Sequence, residues 1–239
     1  MAYKTVFKRY ELKYMITEEQ KAKILKAMKP YMSLDQYGRT VIRNIYFDTD
    51  NYRLIRRSIE KPSYKEKLRI RSYNRAKPQS TVFVELKKKY DSIVYKRRIS
   101  LTEKSAMDWV QGKHSFKNKT QISNEIDYFI SFYKNLHPVV FLSYEREAFY
   151  ALNGDNFRVT FDDNILCRQT DLSLKSDVWG TPILDEGKVL MEIKCSCGIP
   201  LWMTRVLSEE HIYKTSFSKY GMAYEKMIYP KLQEAEIYA

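Results

Sequence analysis

Cysteine, histidine, glycine and proline are scarce in this sequence: among 239 residues there are 3 Cys, 3 His, 7 Gly and 7 Pro. No stretch rich in proline, glycine or serine divides the chain, so we expect one domain over residues 1–239. The cysteines, Cys167, Cys195 and Cys197, lack the second pair that a zinc ribbon requires. Such an odd set is typical of reduced structural thiols in the cytosol.

Long apolar runs are also absent. No run reaches the roughly 18 residues that a membrane-spanning helix needs. The first residues, Met1-Ala2-Tyr3-Lys4, do not begin the apolar segment of a secretory signal. Together with the cysteine content, these features lead us to expect a cytoplasmic protein.

The usual signatures of nucleotide-dependent and hydrolytic enzymes are missing as well. The sequence has no glycine-rich phosphate loop followed by Lys and Ser or Thr, no kinase-type catalytic loop and no His-Glu-x-x-His pair. His114, His137 and His211 lie outside the charged segments described below, so we interpret them as surface or packing residues. The sequence therefore indicates neither a histidine base nor a protein nucleophile.

Positive charge is abundant by contrast. The chain has 42 Lys and Arg against 29 Asp and Glu, which gives a net charge of +13. Such an excess predicts a polyanionic partner, namely nucleic acid, an anionic membrane or a phosphate-rich small molecule. The net charge does not choose among these classes, so the choice depends on where the charges lie.

The charges follow a strand-like alternation that is clearest in Lys67-Leu68-Arg69-Ile70-Arg71. Successive side chains of a β-strand point to opposite faces, so this segment has one basic face and one apolar face. Similar alternation recurs along the chain. The predicted strands are 6–14, 40–48, 65–73, 82–89, 93–101, 139–150, 157–163 and 188–194.

A sheet with so wide a charged face either lies open as a polyanion-binding surface or closes around a charged interior. Eight consecutive strands that can pair as hairpins favour closure. We therefore predict an α+β protein built on an eight-stranded antiparallel closed β-barrel, with inserted and C-terminal helices. The helices are expected from Thr17 to near Pro30, over 51–58, from Thr102 to about 112, and over 124–135, 202–209 and 216–228.

In a closed barrel, the charged face would form a wet interior that holds a polyanion. Of the run Lys87-Lys88-Lys89, we assign only Lys87 to this inner face, in phase with Glu85. Arg binds phosphate oxygens through planar paired donors, and a few carboxylates suit a hard divalent cation such as Mg²⁺. Phosphoryl transfer needs little beyond such positioning and charge stabilisation. The predicted inward residues are Arg9, Lys13, Lys67, Arg69, Arg71, Lys87, Lys96, Arg98, Arg146, Arg158 and Lys194, with Glu11, Glu85 and Glu192.

Six segments in this order resemble the VTC-domain polyphosphate polymerases of the triphosphate tunnel metalloenzyme (CYTH-like) superfamily. The resemblance runs from about residue 4 to residue 228, and the ordered set is more specific than any single motif. The segments are Arg9-Tyr10-Glu11-Leu12-Lys13, Lys67-Leu68-Arg69-Ile70-Arg71, Phe83-Val84-Glu85-Leu86-Lys87, Tyr144-Glu145-Arg146, Leu190-Met191-Glu192-Ile193-Lys194 and Phe217-Ser218-Lys219-Tyr220.

The resemblance implies transfer of the ATP γ-phosphate to a growing inorganic polyphosphate chain, with Mn²⁺ or Mg²⁺ as cofactor. It implies catalytic roles for Arg69, Arg71, Arg146 and Lys96. Glu192 is the expected metal ligand, with Glu11 and Glu85 as further candidates. The expected phosphate-binding residues are Arg9, Lys13, Lys67, Lys87, Arg98, Tyr144, Arg158, Lys194, Ser218 and Lys219.

Two positions depart from the family pattern. Hydrolases of the superfamily typically begin with Glu-x-Glu-x-Lys, whereas Arg9 stands at the first of these positions. The loss of one metal carboxylate agrees with the polymerase branch. The eukaryotic polymerases usually carry a Lys two residues before the serine of the last motif, where this chain has Ser216.

Two other functions remain open from the sequence. A hydrolase of inorganic or nucleoside triphosphates could use the same cations and direct water at the γ-phosphate. A non-catalytic polyanion binder is the other alternative, although nucleic acid is the less favoured ligand because its binding surfaces usually face outward. Since the eukaryotic domain works inside a membrane complex, a membrane-protein partner is also considered. The sequence indicates no particular oligomeric state.

Overall fold

A computed structural model describes residues 10–91, 93–114, 116, 119–196 and 198–237. Strands and helices alternate irregularly along the chain. The strands are β1 (Tyr10–Thr17), β2 (Met32–Leu34), β3 (Thr40–Asp48), β4 (Tyr64–Tyr73), β5 (Thr81–Tyr90), β6 (Ile93–Thr102), β7 (His137–Ala151), β8 (Arg158–Arg168), β9 (Thr181–Pro182), β10 (Lys188–Cys195) and β11 (Lys214–Thr215).

The helices lie between some of the strands and at the C-terminal end. A π-helical turn, Tyr224–Ile228, joins the last two of them. The helices are α1 (Glu18–Met28), α2 (Arg53–Ile59), α3 (Glu103–Val110), α4 (Gln121–Tyr133), α5 (Leu201–Glu209), α6 (Lys219–Ala223) and α7 (Tyr229–Ile237). None of the helices within the described ranges is long and apolar enough to span a membrane.

The strands form one antiparallel sheet in the order β11-β1-β10-β8-β7-β3-β4-β5-β6, with β2 paired to β7 and β9 to β8. The antiparallel α+β fold is therefore confirmed. The closed barrel is not, because the described residues form no backbone ladder between β6 and the other end of this order. Residues 6–9 of the first predicted strand lie outside the described residues.

Side chains nevertheless meet across the two ends of the sheet. Lys87 Nζ on β5 lies 3.0 Å from Glu11 Oε2 on β1, although these strands are far apart in the sheet order. The sheet must therefore curl strongly, and its charged face lies on the inside of the curl.

The outer face of the curl is apolar and is covered by helices. Leu68 and Ile70 of β4 are fully buried, in one cluster with Trp109 of α3 and Ile126 of α4. On the other side, α1 and α5 pack on β1, β8 and β10 through a second cluster that includes Met203. This covering explains the observed alternation. The apolar residues of each strand are buried beneath the helices, and the charged residues point to the inner face.

Several helices begin directly after a residue whose side chain caps the helix N-terminus. Thr17 and Gln20 form the predicted capping box at the start of α1, and Thr102 caps α3. An additional capping box at Thr120 starts α4 earlier than predicted. Because Ser218 caps α6, this helix begins at Lys219 and not at 216.

The predicted end of the last helix near 228 is wrong, since α7 continues to Ile237. Pro230 lies just after the π-helical turn Tyr224–Ile228, so its missing backbone N–H falls at an irregular turn of the continuous helical segment. The short strands β2, β9 and β11 were not predicted, because segments of two or three residues carry no alternation signal.

The Thr17 cap gives a direct stability test. Thr17→Ala removes the hydroxyl that accepts from the Gln20 amide at 3.1 Å, and we expect the free energy of unfolding to fall by about 1 kcal/mol. Thr17→Ser is the matched control, because it retains the accepting oxygen. Urea denaturation followed by circular dichroism measures both, and equal losses in the two variants would contradict the capping assignment.

Candidate functional site

We define the lumen as the inner face of the curled sheet together with the start of α6. Its charged residues come from eight elements, and its cations outnumber its carboxylates. The cations are Lys13, Lys67, Arg69, Arg71, Lys87, Lys96, Arg98, Arg146, Arg158, Lys194 and Lys219, and the carboxylates are Glu11, Glu85, Asp162 and Glu192. Arg9 was also predicted here but lies outside the described residues.

Glu85 is the centre of one cation cluster. Its side chain is 1% exposed, and its Oε2 accepts from Arg69 Nε at 2.8 Å and lies 3.8 Å from Arg71 Nε. Its Oε1 is 2.5 Å from Lys96 Nζ and accepts from Arg98 Nε at 2.8 Å. Burial raises the pKa of the Glu85 carboxyl, but the surrounding cations outweigh burial and hold that pKa well below its usual range. Glu85 therefore stays ionised and fixes the positions of these cations.

Asp162 is the centre of a second cluster. It is fully buried and accepts two hydrogen bonds from the Arg146 guanidinium, at 2.5 and 2.6 Å. Lys219 Nζ, from the start of α6, lies 2.5 Å from Asp162 Oδ2. This contact draws the C-terminal helix onto the inner face of β8.

Glu192 joins the second cluster from the neighbouring strand β10. Its carboxylate lies 3.1 Å from Lys194 Nζ, 3.7 Å from Arg146 Nη2 and 3.6 Å from Lys219 Nζ, and Lys13 Nζ is 3.8 Å away. Burial raises the pKa of Glu192, but these cations hold it well below its usual range. Glu192 and Asp162 thus share Arg146 and Lys219 as partners.

A third group, rich in lysine, lies where α6 meets β4. Lys67 Nζ donates to Ser218 Oγ at 2.8 Å, and Lys13 Nζ donates to the Phe217 carbonyl at 2.5 Å. Burial, together with the charges of Lys13 and Lys87, lowers the pKa of Lys67 to about 7. Burial likewise lowers the pKa of Lys13, to about 8. Both ammonium groups are shielded from water, and carboxylates compensate their positive charge only in part.

Aromatic side chains orient the arginines. The Tyr46 hydroxyl accepts from Arg69 Nη1 at 2.9 Å, and the Tyr144 hydroxyl accepts from Arg71 Nη2 at 3.1 Å. Arg146 lies over the Tyr144 ring, 5.1 Å from its centroid, in the range of a cation–π contact. Tyr144, predicted from its motif, therefore touches both cation clusters.

Arg158 differs from the other arginines of the lumen. Its guanidinium lies over the Tyr150 ring at 4.6 Å, and its buried Nε has no hydrogen-bond partner among the described residues. Burial lowers the pKa of Arg158. An unpaired buried donor is costly, so Arg158 is poised to bind an anion.

Sequence reasoning missed Asp162, Asn44 and Tyr46 as lumen residues. Asp162 stands in phase with Arg158, and this alternation was the available signal. Asn44 accepts from Arg71 Nε at 3.0 Å, but β3 shows no charge alternation that could reveal its inner face.

The donor chemistry of the lumen fits a hard divalent cation only in part. All four carboxylates already contact cations, and Glu85, Asp162 and Glu192 do so through both oxygens. Within the described ranges, no group of three His, Cys, Asp or Glu residues is arranged to hold a metal. Mg²⁺ typically uses one or two carboxylates and completes its ligands with phosphates and water. A metal on Glu192 and Asp162 would therefore have to bind together with a phosphate ligand that takes over their partners Arg146 and Lys219.

A curled antiparallel sheet with a cation-lined inner face defines a protein of the triphosphate-tunnel type. The family model for the VTC domain matches residues 8–228. The chain belongs to the VTC-domain family, and the resemblance seen in its motifs is confirmed.

Solved structures support the same fold. A candidate adenylate cyclase from Bacillus halodurans has 15% identity and a TM-score of 0.56, covering 90% of this chain and 96% of that chain. A candidate adenylyl cyclase from Hippeastrum, which has a dominant triphosphatase activity, has 13% identity and a TM-score of 0.52, covering 92% and 96%. At such low identity these similarities establish the fold alone. No curated protein matched the sequence.

Removal of the Glu85 charge tests the first cluster. In Glu85→Gln the cations around this position repel each other without an anion, and we expect the free energy of unfolding to fall by about 3 kcal/mol. Inorganic tripolyphosphate should restore part of this loss, because it supplies negative charge. Thermal melts with and without tripolyphosphate measure both effects.

Glu125→Gln is the matched control for this test. Glu125 contacts Lys88 and Arg97 with its side chain 23% exposed, so we expect a loss of about 1 kcal/mol or less and no special rescue. If both variants behave alike, Glu85 does not organise the lumen.

The lowered pKa of Lys67, about 7, predicts a pH dependence. In the free protein Lys67 is charged below this pH and neutral above it, so its contribution to anion binding should fade as the pH rises from 6 to 9. Lys67→Arg keeps the charge across this range. We expect the affinity of wild type for tripolyphosphate, relative to Lys67→Arg, to fall by about tenfold, the value of one charge-assisted hydrogen bond.

Isothermal titration calorimetry at several pH values measures this ratio, in which the titration of the ligand itself cancels. A ratio that stays constant from pH 6 to 9 would show that Lys67 does not titrate in this range.

Proposed function

We propose that this protein is an ATP-dependent polyphosphate polymerase that transfers the γ-phosphate of ATP to a growing inorganic polyphosphate chain. The family supports an enzyme that acts on phosphoryl groups, and the proposal assigns the reaction and the roles of the residues. Arg69, Arg71, Arg146 and Lys96 stabilise the charge of the transferred group. The lysines, Arg98, Arg158 and the Ser218–Lys219 end of α6 bind the remaining phosphates.

One observation carries this proposal. Each lumen carboxylate contacts at least one cation, so the acids fix the cations in place and do not converge on a cage for metal. The surplus cations can then hold two polyanions at once, the nucleotide and the polyphosphate acceptor. A polymerase requires this double occupancy, and Arg9 in place of a metal carboxylate agrees with it.

The reaction requires no protein nucleophile, because the terminal phosphate of the acceptor attacks the γ-phosphate. Catalysis then rests on alignment and on stabilisation of the charge that spreads over the transferred group. Glu85 and Asp162 hold these arginines in place against their mutual repulsion. The arginines therefore face the phosphates in fixed positions. Glu192 and Asp162 would hold Mn²⁺ or Mg²⁺, which would supply further positive charge to stabilise the transferred phosphoryl group.

Triphosphate hydrolysis is the second candidate. The neighbour from Hippeastrum has a dominant triphosphatase activity, and the same lumen could direct water instead of a phosphate chain at the γ-phosphate. The two reactions differ in the acceptor alone, so their products distinguish them. A membrane-protein partner and a cytoplasmic location stay predictions.

The product test uses pure protein with ATP and Mn²⁺. Products are separated on a urea gel stained for polyphosphate, while ADP and free phosphate are assayed in the same samples. We expect a polyphosphate ladder, with ADP equal to the phosphate incorporated. Free phosphate without a ladder would replace the polymerase by a nucleoside triphosphatase. No ADP would contradict both of these ATP-dependent enzymes and leave a hydrolase of inorganic triphosphate or a polyanion-binding protein.

Arg69→Ala in the same assay tests the lumen as the site of reaction. Loss of one donor to the transition state should lower turnover by about 100-fold or more, while Lys96 and Arg98 still compensate Glu85 in the fold. Arg75→Ala is the matched control, since Arg75 is an exposed arginine paired with Asp177. Equal turnover in the two variants would rule out the lumen.

A further inference from the structure

Two lysine pairs follow each other along β4 and β5 at one end of the lumen. The strand register places Lys67 opposite Lys87, and Lys65 opposite Lys89. The assignment of Lys89 to a position out of phase with Glu85 is therefore wrong, because residues two apart on a strand share one face. The charged face extends one pair beyond the residues assigned to the lumen.

This arrangement is unfavourable without an anion. Like charges directly opposite each other on neighbouring strands destabilise a sheet, and here two such pairs are adjacent. Burial lowers the pKa of Lys65, and the nearby charges of Lys89, Lys61 and Lys87 lower it further. The positive charges at this end of the sheet are therefore close enough to repel each other.

One carboxylate relieves part of this repulsion, because Glu11 pairs with Lys87 at 3.0 Å, but among the described residues Lys65 and Lys67 lack such a partner. Lys65 Nζ donates to the Ser58 carbonyl at 3.0 Å, and Lys67 Nζ donates to the Ser218 hydroxyl. Across the ranges that the structure describes, neither lysine has a carboxylate within ion-pair distance. One step further into the lumen, in contrast, Arg69 lies opposite Glu85 and pairs with it. The region in which the β4 cations are paired with a carboxylate thus gives way, within the described chain, to one in which Lys65 and Lys67 are not.

The length of the basic face exceeds that of a triphosphate. From Arg71 to Lys65 the strand covers about 20 Å, at about 3.3 Å per residue. Three linked phosphates cannot contact both ends of such a span at once. A longer phosphate chain can, and its repeating charge matches the repeating lysines.

We propose that Lys65 and Lys89 form an outer subsite that binds phosphates of a polyphosphate chain beyond those held in the lumen, so that affinity increases with chain length. The inference deepens the proposed function, since it names the polyphosphate chain as the ligand and this end of β4 and β5 as the place where it leaves or enters. It concerns binding alone and does not require turnover.

The test compares two ligands and two variants. Long-chain inorganic polyphosphate and tripolyphosphate are titrated calorimetrically, without nucleotide, into wild type, the double variant Lys65→Gln/Lys89→Gln, and Lys88→Gln. Lys88 is the matched control, because it lies between these positions but faces outward, where it pairs with Glu125. Thermal melts verify that each variant is folded, and Lys89→Gln alone replaces the double variant if the latter is not.

The expected result is selective. The double variant should lose about tenfold in affinity for the long chain, two exposed charge contacts being worth about 1.4 kcal/mol together, and less than twofold for tripolyphosphate. Lys88→Gln should bind both ligands like wild type. Equal losses for both ligands, or no loss for the long chain, would overturn the outer subsite.

This outcome is independent of the catalytic assay. If wild type makes no polyphosphate from ATP but shows the selective loss, the subsite stands and the polymerase falls. If wild type makes polyphosphate but the selective loss is absent, the polymerase stands and the subsite falls.

Discussion

The structure depends on how one buried face holds many positive charges. Removing a charge from water costs several kcal/mol unless a partner compensates it, and here the partners are single carboxylates on separate strands. Glu11, Glu85, Asp162 and Glu192 come from β1, β5, β8 and β10. Each acid holds the cations of its own neighbourhood, which offsets part of the repulsion between like charges when the sheet curls. The excess of cations remains available for a ligand.

The C-terminal helix belongs to this electrostatic arrangement. Lys219 contacts Asp162, and Tyr220, the next residue, donates its hydroxyl to Asp48 at 2.9 Å. Asp48 is fully buried and also accepts from the Leu54 and Ile55 amides at the start of α2. One carboxylate thus links the end of β3 to two helices. The lumen and the helices that border it are therefore stabilised by the same kind of contact, a buried acid with several donors.

Sequence alternation was sufficient to predict the eight long strands and the face of most charged residues. The period of two follows from strand geometry alone, so Arg69 and Arg71 could be assigned to one face without knowledge of their neighbours. Contacts between distant segments could not be predicted in this way. Lys219 and Asp162 are far apart in sequence, and no local pattern indicates that they meet.

The sequence also could not predict whether the barrel closes, or which polar but uncharged residues lie on the inner face. Alternation gives the faces of a sheet but not whether its edges pair, so the closed barrel was an extrapolation from strand number. Asn44 and Tyr46 contact the arginines, yet their side chains carry no charge that would distinguish an inner from an outer position. Family resemblance added the order of the motifs, whereas the carboxylate partners became visible in the structure.

The most direct test of the account is a crystal structure of the protein with inorganic tripolyphosphate and Mn²⁺. The account predicts phosphate density inside the curl, in contact with Arg69, Arg146 and Lys194, while Glu85 keeps its arginine partners. Phosphate bound on the outer face, or a lumen that stays collapsed on its own ion pairs at saturating ligand, would contradict it.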